Sequence, residues 1–341
     1  MKPVHPQHSS LTPLRAVGFV LIALGVAFAA SSLPPYFPAL PVPADNPQTP
    51  AKIALGRQLF YDARLSADNT ISCSSCHQQQ FAFSNAGNKV STGIKGQRGS
   101  RNAPSLGNVA WRKSYFWEGG SPSLELQAMG PITAHDEMGM EPSVLTRKLS
   151  SVAGYAQQFK SVFSDGLTML NVTKAISAFT RTLVTANSPF DRYRAGNETA
   201  MTPAAVRGMD LFLGEKGDCF HCHGGFNFTD EALHNTGVNL ENRDIGLARL
   251  TGKKTDEGKF KTPTLRNVAL TAPYMHDGSI GTLEAVLNHY NTGGKDNDNV
   301  DVLMRPLELS ADEIKDLIAF LNALTDLQFT KNPQLSPPRL P

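Results

Sequence analysis

The sequence of 341 residues predicts a mainly α-helical protein built as two related halves. Three observations predict it. Apolar residues recur three and four positions apart in six stretches, the helical period, and few stretches alternate as strands would. A block of Pro, Asn and Gly landmarks occurs twice at a constant spacing, the mark of an internal duplication. A Cys-x-x-Cys-His motif occurs once in each half. Two domains are also the ordinary expectation at this length.

In chain order, residues 1–31 read as a leader. An apolar run from Ala16 to Ala30 follows Lys2 and Arg15 and ends in small residues resembling a cleavage site. The run is shorter than the roughly 20 residues that span a bilayer, so a retained anchor is the alternative. A Pro-rich linker is expected over 32–50, then one domain over 51–190, a second over 191–328 and a tail over 329–341. Helical periodicity covers Ile53–Tyr61, Val144–Phe163, Val172–Leu183, Thr202–Phe212, Leu283–Tyr290 and Ala311–Leu324. Ser310-Ala-Asp-Glu313 opens the last of these as a capping box.

The two motifs, Cys73-Ser-Ser-Cys76-His77 and Cys219-Phe-His-Cys222-His223, contain all four cysteines. This is the attachment signature of c-type haem: two thioethers fix the porphyrin, and the adjacent imidazole becomes the proximal iron ligand. A zinc site shared by the pairs would space them by roughly 15 to 20 residues, and these lie far further apart. Two disulfides would suit an exported protein but give no reason for the repeated histidine. The expectation is therefore two cytochrome-c-like domains with one covalent haem each. A formal net charge of +2 is too mild for a nucleic-acid partner. Lys253, Lys254, Lys259 and Lys261 form a local basic cluster, read as a solvated loop or a docking patch for an acidic partner.

The duplication extends well beyond the motifs. Gly56-Arg-Gln-Leu59-Phe60 and Gly208-Met-Asp-Leu211-Phe212 each precede one motif. Pro104-Ser-Leu-Gly-Asn108, Tyr115-Phe-Trp-Glu-Gly119 and Leu124-Glu125 align at an offset of 159 residues with Pro263-Thr-Leu-Arg-Asn267, Tyr274-Met-His-Asp-Gly278 and Leu283-Glu284. The same offset pairs Trp117 with His276, and Tyr290 with Pro131. If these last two face their haems opposite the proximal histidines, one iron is offered a phenolate and the other nothing. A closed site suits electron transfer, and an open one suits peroxide or oxygen. The pattern alone is equally met by a packed aromatic at 290 and a loop proline at 131. Gln127 lies four residues before Pro131 and Glu137 six after; a carboxylate beside an open haem can move a proton between peroxide oxygens. A lone Glu is more often a surface group, and Trp117 is by default a packing residue, although an oxidisable indole between two haems could carry a hole.

Leu55-Gly-Arg-x-Leu-Phe-Tyr-Asp, Asn102-Ala-Pro-Ser-Leu, Phe116-Trp-Glu-Gly, Gly130-Pro-Ile and Pro273-Tyr-Met-His-Asp-Gly278, with the first haem motif, resemble the bacterial dihaem cytochrome c peroxidase and MauG superfamily over about residues 48–325. The resemblance implies that His77 is proximal to the peroxidatic iron, and that Gln127, Pro131 and Glu137 line its distal side. It implies that Trp117 lies between the haems, and that His223 and Tyr290 ligate the second iron. It also implies that Asn102, Thr271 and Pro273 could hold a calcium ion, a cation that prefers such oxygens.

Two departures from the classical peroxidases point toward the MauG and MbnH branch: Tyr290 stands where they carry a methionine, and Lys89–Arg101 lacks their capping histidine. An anionic oxygen ligand would stabilise ferric iron, where a thioether would raise the potential. Against MauG itself, Gly217 replaces a tryptophan used to oxidise its protein substrate. The leading expectation is a periplasmic enzyme, soluble or anchored by its leader, that uses hydrogen peroxide to oxidise a partner protein. The alternatives are a peroxidase fed by a small cytochrome or copper protein, and a non-catalytic dihaem electron carrier.

Overall fold

The computed structural model describes Met1, residues 33–241 and residues 243–341; the expected leader lies outside the described residues. The helices in chain order are α1 (Pro50–Tyr61), α2 (Cys73–Cys76), α3 (Leu124–Thr133), α4 (Pro142–Ser150), α5 (Tyr155–Val162), α6 (Met169–Thr180), α7 (Pro189–Arg194), α8 (Pro203–Leu213), α9 (Ala248–Thr251), α10 (Leu283–Asn291), α11 (Ala311–Ala323) and α12 (Leu327–Lys331). The strands β1 (Leu233–His234) and β2 (Phe260–Lys261) form a two-residue antiparallel ladder. No described helix is long and apolar enough to cross a membrane.

Most expected helices form, and their ends follow capping chemistry. Thr49, Thr168, Thr202, Thr282 and Ser310 each accept a bond from a first-turn backbone N–H, and Ser310–Glu313 closes as a capping box. The single helix expected over Val144–Phe163 is instead two, α4 and α5. Gly154 breaks it with φ +95, a conformation that a periodicity count does not register.

The described residues fold around two large hydrophobic cores and a small cluster of Val109, Tyr115 and Leu124. α1 crosses α6 in the first and α8 crosses α11 in the second. Each crossing is made at the glycine of a repeated segment. A Cβ on Gly56 would lie 1.8 Å from the Ala175 carbonyl oxygen, and one on Gly208 would lie 1.9 Å from that of Asp316. Only the missing side chain lets the helices approach so closely.

The duplication holds at the backbone. Tyr115 bridges Ser121 as Tyr274 bridges Ile280. Positive φ recurs at Asn108 and Asn267, at Phe116 and Met275, and at Gly119 and Gly278, and the helices α3 and α10 begin at equivalent residues. The copies are joined by buried amides. Asn108 accepts from the Thr185 N–H and donates to its carbonyl, while Asn267 donates to the Thr185 hydroxyl and accepts from the Asp326 N–H.

Both ends of the body pack on the opposite copy. In the segment read as a linker, Phe37 meets Trp111, Phe226 and the Arg266 guanidinium, and Tyr36 bonds Asp191. In the segment read as a tail, Phe329 and Leu335 are buried in the first core, and Arg57 and Tyr61 bond carbonyls of 333–336.

Replacing Gly56 or Gly208 by Ala should each lower unfolding stability by about 1–3 kcal/mol or more through overpacking, read from denaturant midpoints; an unchanged midpoint would refute the close-crossing account. A second expectation concerns acid. Arg101 makes a bidentate pair with Asp244 of the other copy. Burial alone would raise the Asp244 carboxyl, but bonds from Arg101 and the Gly246 N–H bring it down to about 2. Its folded value lies below the unfolded one of about 3.9, so its stabilisation is complete above that pH and is lost as pH falls through about 2. Asp244→Asn should flatten this part of the acid-unfolding profile.

Candidate functional site

Each Cys-x-x-Cys-His motif opens onto its own cavity. Cys73 and Cys76 bracket the single turn of α2, with His77 as its C-cap; Cys219 opens the 3-10 turn that presents Cys222 and His223. The His77 Nδ1 meets the Phe83 carbonyl at 2.9 Å, and the His223 Nδ1 meets the Phe228 carbonyl at 3.0 Å. As donors to a carbonyl, both Nδ1 atoms must carry the proton, which leaves each Nε2 with a free lone pair. Burial favours the neutral ring: it lowers the His77 pKa to about 4 and lowers that of His223 as well. The carbonyls thus select the tautomer that ligates a metal.

The thiols fit the same group. Burial pushes Cys73 and Cys219 up to about 12, each aided by the neighbouring cysteine. That setting favours a neutral thiol or thioether over a thiolate metal ligand. Cys222, Asp230 and His234 bring three donor atoms within 4.8 Å, yet they do not make a metal centre. The His234 Nδ1 is held by Asp301 at 2.6 Å and its Nε2 by Asp230 at 2.8 Å. With both ring nitrogens turned to carboxylate oxygens, neither keeps a lone pair to give a metal.

Gln127, Pro131 and Glu137 line the same cavity as Cys73, Cys76 and His77. α3 carries Gln127 and Pro131 one turn apart, and Pro131 interrupts the ladder, having no N–H for the Gln127 carbonyl. Burial raises the Glu137 carboxyl, with Asp136 adding a like charge. Tyr290, on α10, lines the other cavity with Cys219, Cys222 and His223. Burial pushes its phenol well above the ordinary range, while Thr236 beside it acts in the opposite direction. The equivalent positions 131 and 290 therefore face equivalent cavities with a pyrrolidine ring and a phenol.

Trp117 lines the second cavity and is pinned from both copies. Its Nε1 donates to the Asn102 carbonyl at 2.8 Å, and its own carbonyl accepts from the Lys261 N–H at 2.8 Å. Its counterpart His276 stacks on Phe260 with ring centroids 3.6 Å apart, a pairing that the repeat alone did not suggest. Asn102, Thr271 and Pro273 line the same wall. The Asn102 side-chain NH2 is committed to the carbonyls of Asn88 and Lys89, both at 3.2 Å, which turns its Oδ1 away from them. The basic cluster is not wholly a solvated loop: Lys253 and Lys254 are exposed, but Lys261 points inward from β2 and is only 6 % exposed.

A family model described as di-haem cytochrome c peroxidase matches residues 50–199. The methylamine utilization protein MauG of Methylorubrum extorquens is 40% identical over 290 residues, covering 84% of this chain and 81% of its own. The cytochrome c551 peroxidase of Nitrosomonas europaea is 34% identical, with 91% and 90% covered. Among solved structures, a MauG-like protein associated with microbial copper homeostasis superposes with a TM-score of 0.85 at 37% identity, over 90% of this chain and 98% of that one. The diheme peroxidase BthA from Burkholderia thailandensis does so at 0.72 and 25%, covering 87% and 92%.

Proposed function

This chain belongs to the family of di-haem cytochrome c peroxidases and MauG proteins, and from that premise we propose that it is an exported peroxidase that uses hydrogen peroxide to oxidise a partner protein. The family makes it an oxidoreductase with two haems. In this reading both haems are covalently held, through Cys73 and Cys76 and through Cys219 and Cys222, with His77 and His223 as proximal ligands. Bound there, they supply the redox-active irons, the one at His77 open to peroxide.

One observation carries the proposal: the duplicated backbone presents Pro131 to one cavity and Tyr290 to the other. Pro131 offers no ligand atom, so the first cavity keeps room for a small oxidant beside Gln127 and Glu137. Burial raises the proton affinity of the Glu137 carboxylate, which suits it to take a proton from one peroxide oxygen and return it to the other as water leaves. Gln127 orients the oxidant by hydrogen bonding. Tyr290 closes the second site with an oxygen ligand, which opposes the burial that otherwise keeps its phenol protonated. Trp117, tethered to both copies beside the second cavity, would relay charge between the sites, and Asn102, Thr271 and Pro273 are the residues that would hold a calcium ion. The similarity to the MauG-like protein associated with copper homeostasis supports reading the chain on the MauG side of the family. The similarity to a cytochrome c551 peroxidase favours a second reading, peroxide reduction fed by a small electron-transfer protein.

Stoichiometric peroxide added to the fully ferric protein without reductant should change the optical and EPR spectra of both haems. A lack of reaction until one haem is reduced would establish the second reading instead. Tyr290→Phe should abolish the low-spin signature of the second haem, and its survival would remove Tyr290 as ligand. Glu137→Gln should lower peroxide turnover about 10²–10⁴-fold with both haems retained; near-parental turnover would remove Glu137 from the chemistry.

A further inference from the structure

On the wall between the two copies two cations, Arg112 and Lys261, have a single carboxylate near them. Arg112 and Lys261 both line the cavity that contains Cys219, Cys222 and His223. Lys261 is 6 % exposed, and its ammonium donates to the Ser114 carbonyl and pairs with Glu231 at 3.1 Å. Arg112 donates from Nη2 to the Ser105 carbonyl at 2.8 Å, and among the described residues no carboxylate lies within 4 Å of it. Two cations thus share one carboxylate, Glu231. The other cations on this wall are matched: Arg266 by Asp191, His234 by Asp230 and Asp301, and Arg101 by Glu118 and Asp244. A half-buried guanidinium without a counter-charge of its own is costly, so the cavity it lines offers a place for an anion.

The duplication sharpens this. At the offset of 159 residues Lys261 corresponds to Asn102, Arg112 to Thr271 and Ser114 to Pro273. Both sets draw on both copies: where one presents the neutral oxygens of Asn102, Thr271 and Pro273, its counterpart presents the Lys261 ammonium and the Arg112 guanidinium, with the Ser114 carbonyl already bonded to the ammonium. The divergence of the repeat has thus put fixed positive charge where the equivalent place offers neutral oxygens.

We propose that Arg112, backed by Lys261, receives a carboxylate of the second haem, and that this fixed pair sets how the haem is seated and how easily it is reduced. A haem carries two propionates on the edge away from its vinyl-derived links. With Cys219 and Cys222 anchoring one edge, the acidic edge supplies the carboxylate that Arg112 lacks. The guanidinium gives paired N–H donors that suit a carboxylate, whereas Lys261 acts as a point charge. The inference rests on the second cavity holding a haem and does not depend on whether Asn102, Thr271 and Pro273 bind calcium.

The test is spectroelectrochemical titration of both haems in the haem-loaded Arg112→Gln, Arg112→Lys and Lys261→Met proteins, with haem content measured per chain. A fixed cation favours the reduced iron. Arg112→Gln should therefore shift the midpoint potential of the second haem downward, more than that of the first, with two haems retained. Lys261→Met should shift it in the same direction by less, and Arg112→Lys should stay nearer the parent. A residue that only braces the wall would change thermal stability and leave the potential in place. An unchanged second-haem potential in Arg112→Gln overturns the proposal. Should that variant not load two haems, an unchanged potential in Lys261→Met overturns it equally.

Discussion

The structure hangs on a pair of buried asparagines. Asn108 and Asn267 occupy the left-handed region, where a short polar side chain is tolerated and most others are strained. Both reach the same short stretch near Thr185, and Asn267 continues to Asp326, which in turn accepts N–H groups of Ala186 and Asn187 and caps α12. Buried amides of this kind are costly unless every partner is present. The two copies must therefore meet in one register. That register fixes the turns that follow each asparagine, and with them Arg112, Trp117, Thr271 and His276.

Within that frame the backbone has stayed duplicated while the side chains have diverged. The turn at Tyr115–Ser121 and the turn at Tyr274–Ile280 are the same structure, yet one presents Trp117 and the other His276. α3 and α10 start at equivalent residues, yet one carries Pro131 to its cavity and the other Tyr290. A repeated scaffold supplies two equivalent cavities with equivalent histidine tautomers, and single-residue differences make their open faces chemically distinct. On the proposed assignment this difference separates a cofactor that can meet substrate from one that is closed, without altering either core.

The ends of the chain brace the halves. Phe37 lies under the Arg266 guanidinium beside Phe226, and Phe329 inserts against Phe83 in the first core. Neither contact has a periodic signature. Residues 33–49 are rich in proline and residues 332–341 lack helical spacing, so local composition reads them as linker and tail. What orders them is burial of a few aromatic and aliphatic side chains against surfaces formed far away in sequence.

The sequence by itself determined the helical class, the duplication and both haem motifs, because covalent attachment chemistry and repeated turn residues are written in local order. It also determined that positions 131 and 290 correspond, since an ungapped offset needs no coordinates. Only the tertiary structure decided that Gln127, Pro131 and Glu137 share a cavity with His77, and that Tyr290 shares one with His223. It alone turned Lys261 from a presumed surface loop into the wall beside Arg112. It split the expected helix at Gly154, and it showed the His276–Phe260 stack. The reason is physical: tautomer, desolvation and charge balance depend on which groups surround a side chain. Those neighbours range from the Phe83 and Phe228 carbonyls, a few residues beyond each histidine, to the Ser114 carbonyl that meets Lys261 from the other copy.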